Sequence, residues 1–149
     1  MPIGDICNRE VVIMRRNDTV QEAARLMRQQ HVGDVLVVDE RDSVQVPIGI
    51  VTDRDLVVEI MASDVQRPLV SVGDIMSPEI ATIKESAGVF EAIQYMRAKG
   101  VRRLPVVSDS GALVGILTLD DLLELLSEEL LELSKLVRYE QKKEIGTRH

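Results

Sequence analysis

Aromatic side chains are almost missing from this 149-residue chain: it has no Trp, and Phe90, Tyr95 and Tyr139 are its whole aromatic complement. Single-stranded nucleic acid is held largely by stacking bases on aromatic faces, so it is excluded as a primary partner. Positive charge is short as well. Lys and Arg number 18 against 25 Asp and Glu, a formal net charge of −7, the wrong sign for a phosphate backbone. Cys7 is the only cysteine, so an intrachain disulfide and a cysteine-built zinc cage are both ruled out. His31 and His149 are the only histidines. There is no Gly-rich P-loop with its Lys-Ser/Thr and no His/Glu/Asp set at metal spacing, so the expectation is no enzyme, no catalytic residue and no metal. No apolar run nears the roughly 20 residues that span a bilayer. The opening MPIGDICNRE lacks the basic-then-apolar order of a secretory signal. A soluble, cytoplasmic protein without a membrane partner is expected.

What the chain has in quantity is itself. Gly4-Asp5-Ile6 recurs 69 residues on as Gly73-Asp74-Ile75 (4 to 73), and the same offset aligns Glu22-Ala23 with Glu91-Ala92 and Met27-Arg28 with Met96-Arg97. Later, GIVTDRDL at 49–56 recurs as GILTLDDL at 115–122, now 66 residues on (52 to 118). The three-residue difference falls in the polar stretch ERDSVQVP, which reads as a loop between strands, where length changes are cheap. Each copy reads β-α-β-β-α: an apolar strand (11–14 and 80–83), a helix with apolar residues at 3–4 spacing (Val20, Ala23, Ala24, Met27; Val89, Ala92, Ile93, Met96), a buried strand (35–39; 104–108), a further strand (47–52; 113–118), and a second helix starting at Thr-x-x-Asp. The expected layout is a first repeat at 1–62, a linker SDVQRP at 63–68, a second repeat at 69–127 and a helical extension at 128–149. Units of about 60 residues bury little surface alone, so the two should pack together with approximate twofold symmetry in an α/β (α+β) fold.

Thr-x-x-Asp has two readings. Ser or Thr followed three residues on by an acid is the spacing of a helix capping box, and Thr19-x-x-Glu22 and Ser71-x-x-Asp74 repeat it elsewhere. The box normally uses Glu or Gln, and Asp is short for the role. The alternative is a binding site. The motif lies at a strand-to-helix junction that favours an anion, Gly49 and Gly115 leave the strand open to close approach, and a carboxylate one turn in can accept from two neighbouring hydroxyls, as on a ribose. The two readings can coexist.

With GIVTDRDL, GILTLDDL, GDIMSPEIATI (73–83) and VRRLPVV (101–107) in view, residues 3–127 resemble a tandem pair of cystathionine-β-synthase (CBS) domains, a Bateman module. The resemblance implies two clefts for adenosyl ligands such as AMP, ADP, ATP, S-adenosylmethionine or NADH, acting as regulatory ligands rather than catalytic cofactors. Carried over residue by residue, it places Asp55 on the ribose and Thr52 on phosphate or ribose in a principal cleft completed by Thr82, Val101, Arg102 and Arg103. It places Asp121 and Thr118 in a second cleft completed by Ile13, Val32, Gly33 and Asp34. Arg102-Arg103 suits bidentate phosphate contacts. Gly33-Asp34 stands at the equivalent positions, where an acid repels phosphate, so the Asp55 cleft is expected to be the main nucleotide site. The competing reading of the arginines is a solvated pair bonded to nearby acids. Leu36 stands where the second copy has Pro105, which puts the first copy's strand geometry in question.

Residues 119–144 run past the end of the second repeat as one amphipathic helix with Leu119, Leu122, Leu126, Leu130, Leu133 and Val137 at 3–4 spacing. It either folds back on its own module or, as expected here, joins a homodimer of the kind the resemblance implies. The functional expectation is a non-catalytic sensor of an adenosyl ligand whose conformational or dimer-interface change signals to an effector protein. The alternative is a constitutive dimerisation unit whose Thr-x-x-Asp pairs only cap helices.

Overall fold

A computed structural model describes residues 1–63, 70–77 and 80–147; most of the expected linker, from residue 64 on, lies outside them. The chain forms two bodies, Met1–Leu117 and Thr118–His149.

The first repeat supplies β1 (Ile13–Arg15), α1 (Val20–Gln30), β2 (Asp34–Arg41), β3 (Val44–Thr52) and the single-turn α2 (Asp53–Asp55), which continues as a π-helical segment, Leu56–Met61. The four-residue α3 (Val72–Ile75) leads into β4 (Ile83–Lys84), α4 (Val89–Lys99), β5 (Arg103–Val107), β6 (Leu113–Thr118) and α5 (Leu119–Thr147). The expected β-α-β-β-α order holds in both copies. Each copy builds a three-stranded sheet, β1-β2-β3 and β4-β5-β6. The outer strands β1 and β4 run parallel to β2 and β5, while β3 runs antiparallel to β2. The first strands begin later than expected, because the ladder opens only at Ile13↔Leu36 and Ile83↔Val106. Val11 and Val12 instead line a cavity. Leu36 is fully buried and regularly paired to Ile50, so replacing proline there leaves β2 undisturbed; the one register shift is a residue further on, between Val37 and Val38.

β2 reads as an unbroken apolar run because both of its faces are covered: Val35, Leu36, Val37 and Val38 are all fully buried. α1 presents Val20, Ala23 and Met27 to this sheet. Its start is set by Thr19, whose hydroxyl accepts from the Glu22 amide, and its end by His31 in a left-handed conformation, φ 55°. His31 is therefore a helix C-cap. Its counterpart in α4 is Gly100, φ 66°, the residue type for which that conformation carries no steric penalty.

The repeats exchange their leading segments. Gly4 N donates to Glu85 O and, 69 residues on, Gly73 N donates to Arg16 O. Ile3 N→Ala87 O is matched by Val72 N→Asp18 O, and Asn8 N→Ile116 O by Ser77 N→Ile50 O. Residues 2–8 thus lie against the second repeat and residues 71–77 against the first, and Val70 and Val72 are part of the core cluster around Met14, Met27 and Val35.

This exchange accounts for the glycine of each repeated frame. A Cβ on Gly49 would sit 2.5 Å from Met76 Sδ, and one on Gly115 would sit 2.5 Å from Asn8 O and 2.8 Å from Cys7 Sγ. Cys7 and Met76 are equivalent residues, 69 apart. What approaches the two bare strand positions is the other repeat's leading segment, not a ligand.

Candidate functional site

Both Thr-x-x-Asp pairs are complete capping boxes. Thr52 Oγ1 accepts from Asp55 N at 3.1 Å and Asp55 Oδ2 accepts from Thr52 N at 2.9 Å. Thr118 and Asp121 repeat this at 3.1 and 3.3 Å on the first turn of α5, and Ser71 and Asp74 do so on α3 at 3.2 Å both ways. Asp, although short, closes the box at all three sites. One oxygen of Asp55 is taken up in this way; its Oδ1 makes no hydrogen bond among the described residues, so the capped carboxylate keeps acceptor capacity.

A cleft of about 550 Å³ opens beside Thr52 in the first body. Its walls are Ile50 and Thr52 from β3, Ser77, Ile80 and Ala81 from the segment before β4, Tyr95 and Lys99 from α4, and Val101 to Arg103 with Pro105 leading along β5. Of the residues expected in the principal site, Thr52, Val101, Arg102 and Arg103 come together here. Asp55 is not in the lining but is held one turn behind Thr52. Thr82 lines a smaller neighbouring cavity of about 320 Å³, which shares Tyr95.

A second cavity of about 580 Å³ is the repeat-equivalent of the first. Asn8, Val11, Val12, Leu26, Gln30 and Val32 stand where the first has Ser77, Ile80, Ala81, Tyr95, Lys99 and Val101, each pair 69 residues apart. Ile13 also lines it. Gly33 is not in the lining, and a Cβ there would sit 3.2 Å from Asp53 Oδ2. Thr118 and Asp121 belong to the other body.

The two cavities differ by more than the arginine pair. Tyr95 and Lys99, one turn apart on α4 with the ammonium 5.8 Å from the ring centroid, replace Leu26 and Gln30. The first wall therefore carries three cations, Lys99, Arg102 and Arg103; their repeat equivalents are Gln30, Gly33 and Asp34, of which Gln30 alone lines the second cavity. Sequence reasoning missed Tyr95 and Lys99. The signal was the same 69-residue offset, applied along the helix rather than only at the strand.

Arg103 has a carboxylate partner. Its Nη1 lies 2.9 Å from Asp34 Oδ2, with side-chain exposures of 32% and 23%. The two residues are repeat equivalents at the first positions of β5 and β2, so the pair ties the two repeats together. This is the acid-paired reading of the arginines, realised for Arg103. Burial pushes the Asp34 carboxyl above its ordinary value; Arg103 pulls it down and Asp53 pushes it further up. Asp53 is near because its amide donates to Gly33 O at 2.9 Å.

α5 is a single 29-residue helix. Leu122 is buried, whereas Leu123, Leu126, Leu130, Leu133 and Val137 are 37–66% exposed, an apolar stripe in heptad spacing. No described helix is long and apolar enough to cross a membrane.

Comparison with known proteins falls on the same residues. The sequence model described as the CBS domain matches twice, at 3–62 and 72–128. An uncharacterized protein of Methanopyrus kandleri is 39% identical over 122 residues, which are 82% of this chain and 61% of that protein, so this chain spans about three fifths of that relative's length. The CBS domain-containing protein YhcV of Bacillus subtilis is 37% identical over 122 residues, 80% of this chain and 81% of that one. Among solved structures, CBSX2 in complex with AMP superposes with a TM-score of 0.70 at 25% identity, covering 85% of this chain and 96% of that one.

Proposed function

Because the chain belongs to the CBS-domain family, we propose that it is a non-catalytic regulatory module that binds an adenosyl ligand of the AMP, ADP or ATP kind in the cleft beside Thr52. The observation that carries this reading is the composition of that cleft. Ile50, Ile80 and Val101 offer apolar surface to a base, and Thr52, Lys99, Arg102 and Arg103 offer a hydroxyl and cations to a ribose phosphate. At about 550 Å³ it is within the range of small-molecule pockets. Asp55, fixed by its box with the second oxygen spare, is the candidate for the ribose hydroxyls. Binding of AMP by the similar CBSX2 supports the ligand class. The second cavity, without the cations, is proposed as empty or as the place of a less anionic adenosyl ligand.

Such a ligand would bridge residues of both repeats and bind one arrangement of them better than another, which shifts the population between arrangements. The output is proposed to pass to an effector protein or through self-association, with the exposed stripe of α5 as the homodimer surface. The rival reading, a constitutive dimerisation unit, draws on the finding that both Thr-x-x-Asp pairs are capping boxes.

Calorimetric titration with AMP, ADP, ATP, S-adenosylmethionine and NADH separates the two. The sensor reading expects binding that Asp55→Ala abolishes and Asp121→Ala spares. A folded protein that binds none of the five leaves only the dimerisation unit.

A further inference from the structure

The Asp34–Arg103 pair has a use of its own. Arg103 stands in the wall of the cationic cleft while its guanidinium is already bonded, at 2.9 Å, to a carboxylate from the other repeat. We propose that Asp34 is a built-in rival of the ligand's phosphate for Arg103, so that the cleft reads the charge at the ligand's 5′ end through the link between the two repeats. This rests on the adenosyl reading given above.

The argument is one of partial burial. A fully exposed ion pair is worth little and gives way to any anion, while a sealed pair is held too firmly because breaking it strands a charge. At 32% and 23% exposure this pair lies between those limits. An uncharged 5′ group, as in adenosine, leaves the link closed. A phosphate offers Arg103 a stronger bidentate partner, but taking it leaves Asp34 beside Asp53 with its counter-charge withdrawn. Lys99 and Arg102 remain in the wall to hold a phosphate in either case. Ligands that share adenosine and differ in charge would thus leave the two sheets differently joined, because Asp34 opens β2 and Arg103 opens β5.

The test is calorimetry with adenosine and AMP on the whole chain, and the readout is the ratio of the two affinities. Asp34→Asn is expected to raise the preference for AMP over adenosine by about tenfold, the size of one charged contact in a partly wet setting. The gain should vanish in the double variant with Arg103→Gln. An unchanged or lower ratio in Asp34→Asn, or a gain that survives in the double variant, overturns the proposal. The wild-type protein gives a second readout that needs no variant: the Asp34 carboxyl 13C resonance should move on saturation with AMP and stay with adenosine. Equal movement, or none, also overturns it. If neither compound binds the wild type, the adenosyl reading itself fails; if both bind and only the ratio is indifferent to Asp34, that reading stands and the rivalry is wrong.

Discussion

Adding a single methyl group at either repeated glycine should have unequal consequences. In Gly115→Ala the new Cβ meets Asn8 O at 2.5 Å, a backbone atom. That oxygen accepts from Ile116 N at 2.9 Å, and Asn8 N donates to Ile116 O at 2.9 Å, so moving it aside strains both bonds that anchor the leading segment to β6. Overpacking of this kind costs about 1–3 kcal/mol, and the weakened hydrogen bonds add about 1 kcal/mol. The expected loss is about 2–4 kcal/mol, which for a chain of this size lowers Tm by roughly 5–15 °C. In Gly49→Ala the neighbour is Met76, whose Sδ and Cγ lie 2.5 and 2.8 Å away. The Sδ and Cγ of an unbranched thioether turn away cheaply and only the Met76 Cβ, at 2.9 Å, is fixed to the backbone, so the loss should be about 1–2 kcal/mol. Thermal melts of both variants, followed by circular dichroism, decide the matter. A second substitution sharpens it: Met76→Ala should recover part of the Gly49→Ala loss, whereas Cys7→Ala should recover little in Gly115→Ala because Asn8 O stays where it is. A Gly115→Ala protein that melts no lower than Gly49→Ala, or that Cys7→Ala restores, would refute the exchange of backbone contacts as the reason for these glycines.

His31→Gly should stabilise the chain by about 0.5–1 kcal/mol in urea unfolding, since it removes a Cβ from a left-handed cap that Gly100 occupies in the other repeat; a loss would mean that the imidazole has a stabilising contact of its own. The raised carboxyl of Asp34 should show in the pH profile. An acid whose folded value lies above its unfolded one adds stability below the unfolded value, and that stability is lost as pH rises through the folded one. Asp34→Asn should therefore gain on the wild type in Tm from about pH 4 upward, and a gap that narrows with rising pH would contradict burial as the leading cause. Leu130→Glu, on the exposed stripe of α5, should lower the mass measured by light scattering without altering the melting of a module that does not depend on that face; an unchanged mass would remove α5 as the dimer surface.

The order of elements was legible because two copies of one pattern constrain each other: α1 and α4 each run 11 residues and start where the aligned periodicities begin. The reading slipped where tertiary pairing rather than pattern decides. Val11 and Val12 look like strand, but β1 starts at Ile13, where its partner Leu36 becomes available. At the candidate site, Thr52, Val101, Arg102 and Arg103, grouped by the resemblance, line one cleft, while Asp55 and Thr82 of the same group do not. The Arg103–Asp34 bond was beyond reach: the sequence set the two residues in opposite clefts, and only the packing of one sheet against the other shows that equivalent positions meet.

The exchanged leading segments bear on how the chain is made. During synthesis the first repeat emerges with its core unfinished, because Val70 and Val72, which complete the cluster around Met14 and Val35, lie beyond its last helix. The opening segment waits longer still, as Asn8 finds its partner only at Ile116. A contact so distant in sequence carries a loop-closure entropy that local elements do not, and folds governed by such contacts form slowly. A ribosome-bound chain halted between the repeats should therefore hold sheet β1-β2-β3 open to protease, and become resistant only after the second repeat has emerged.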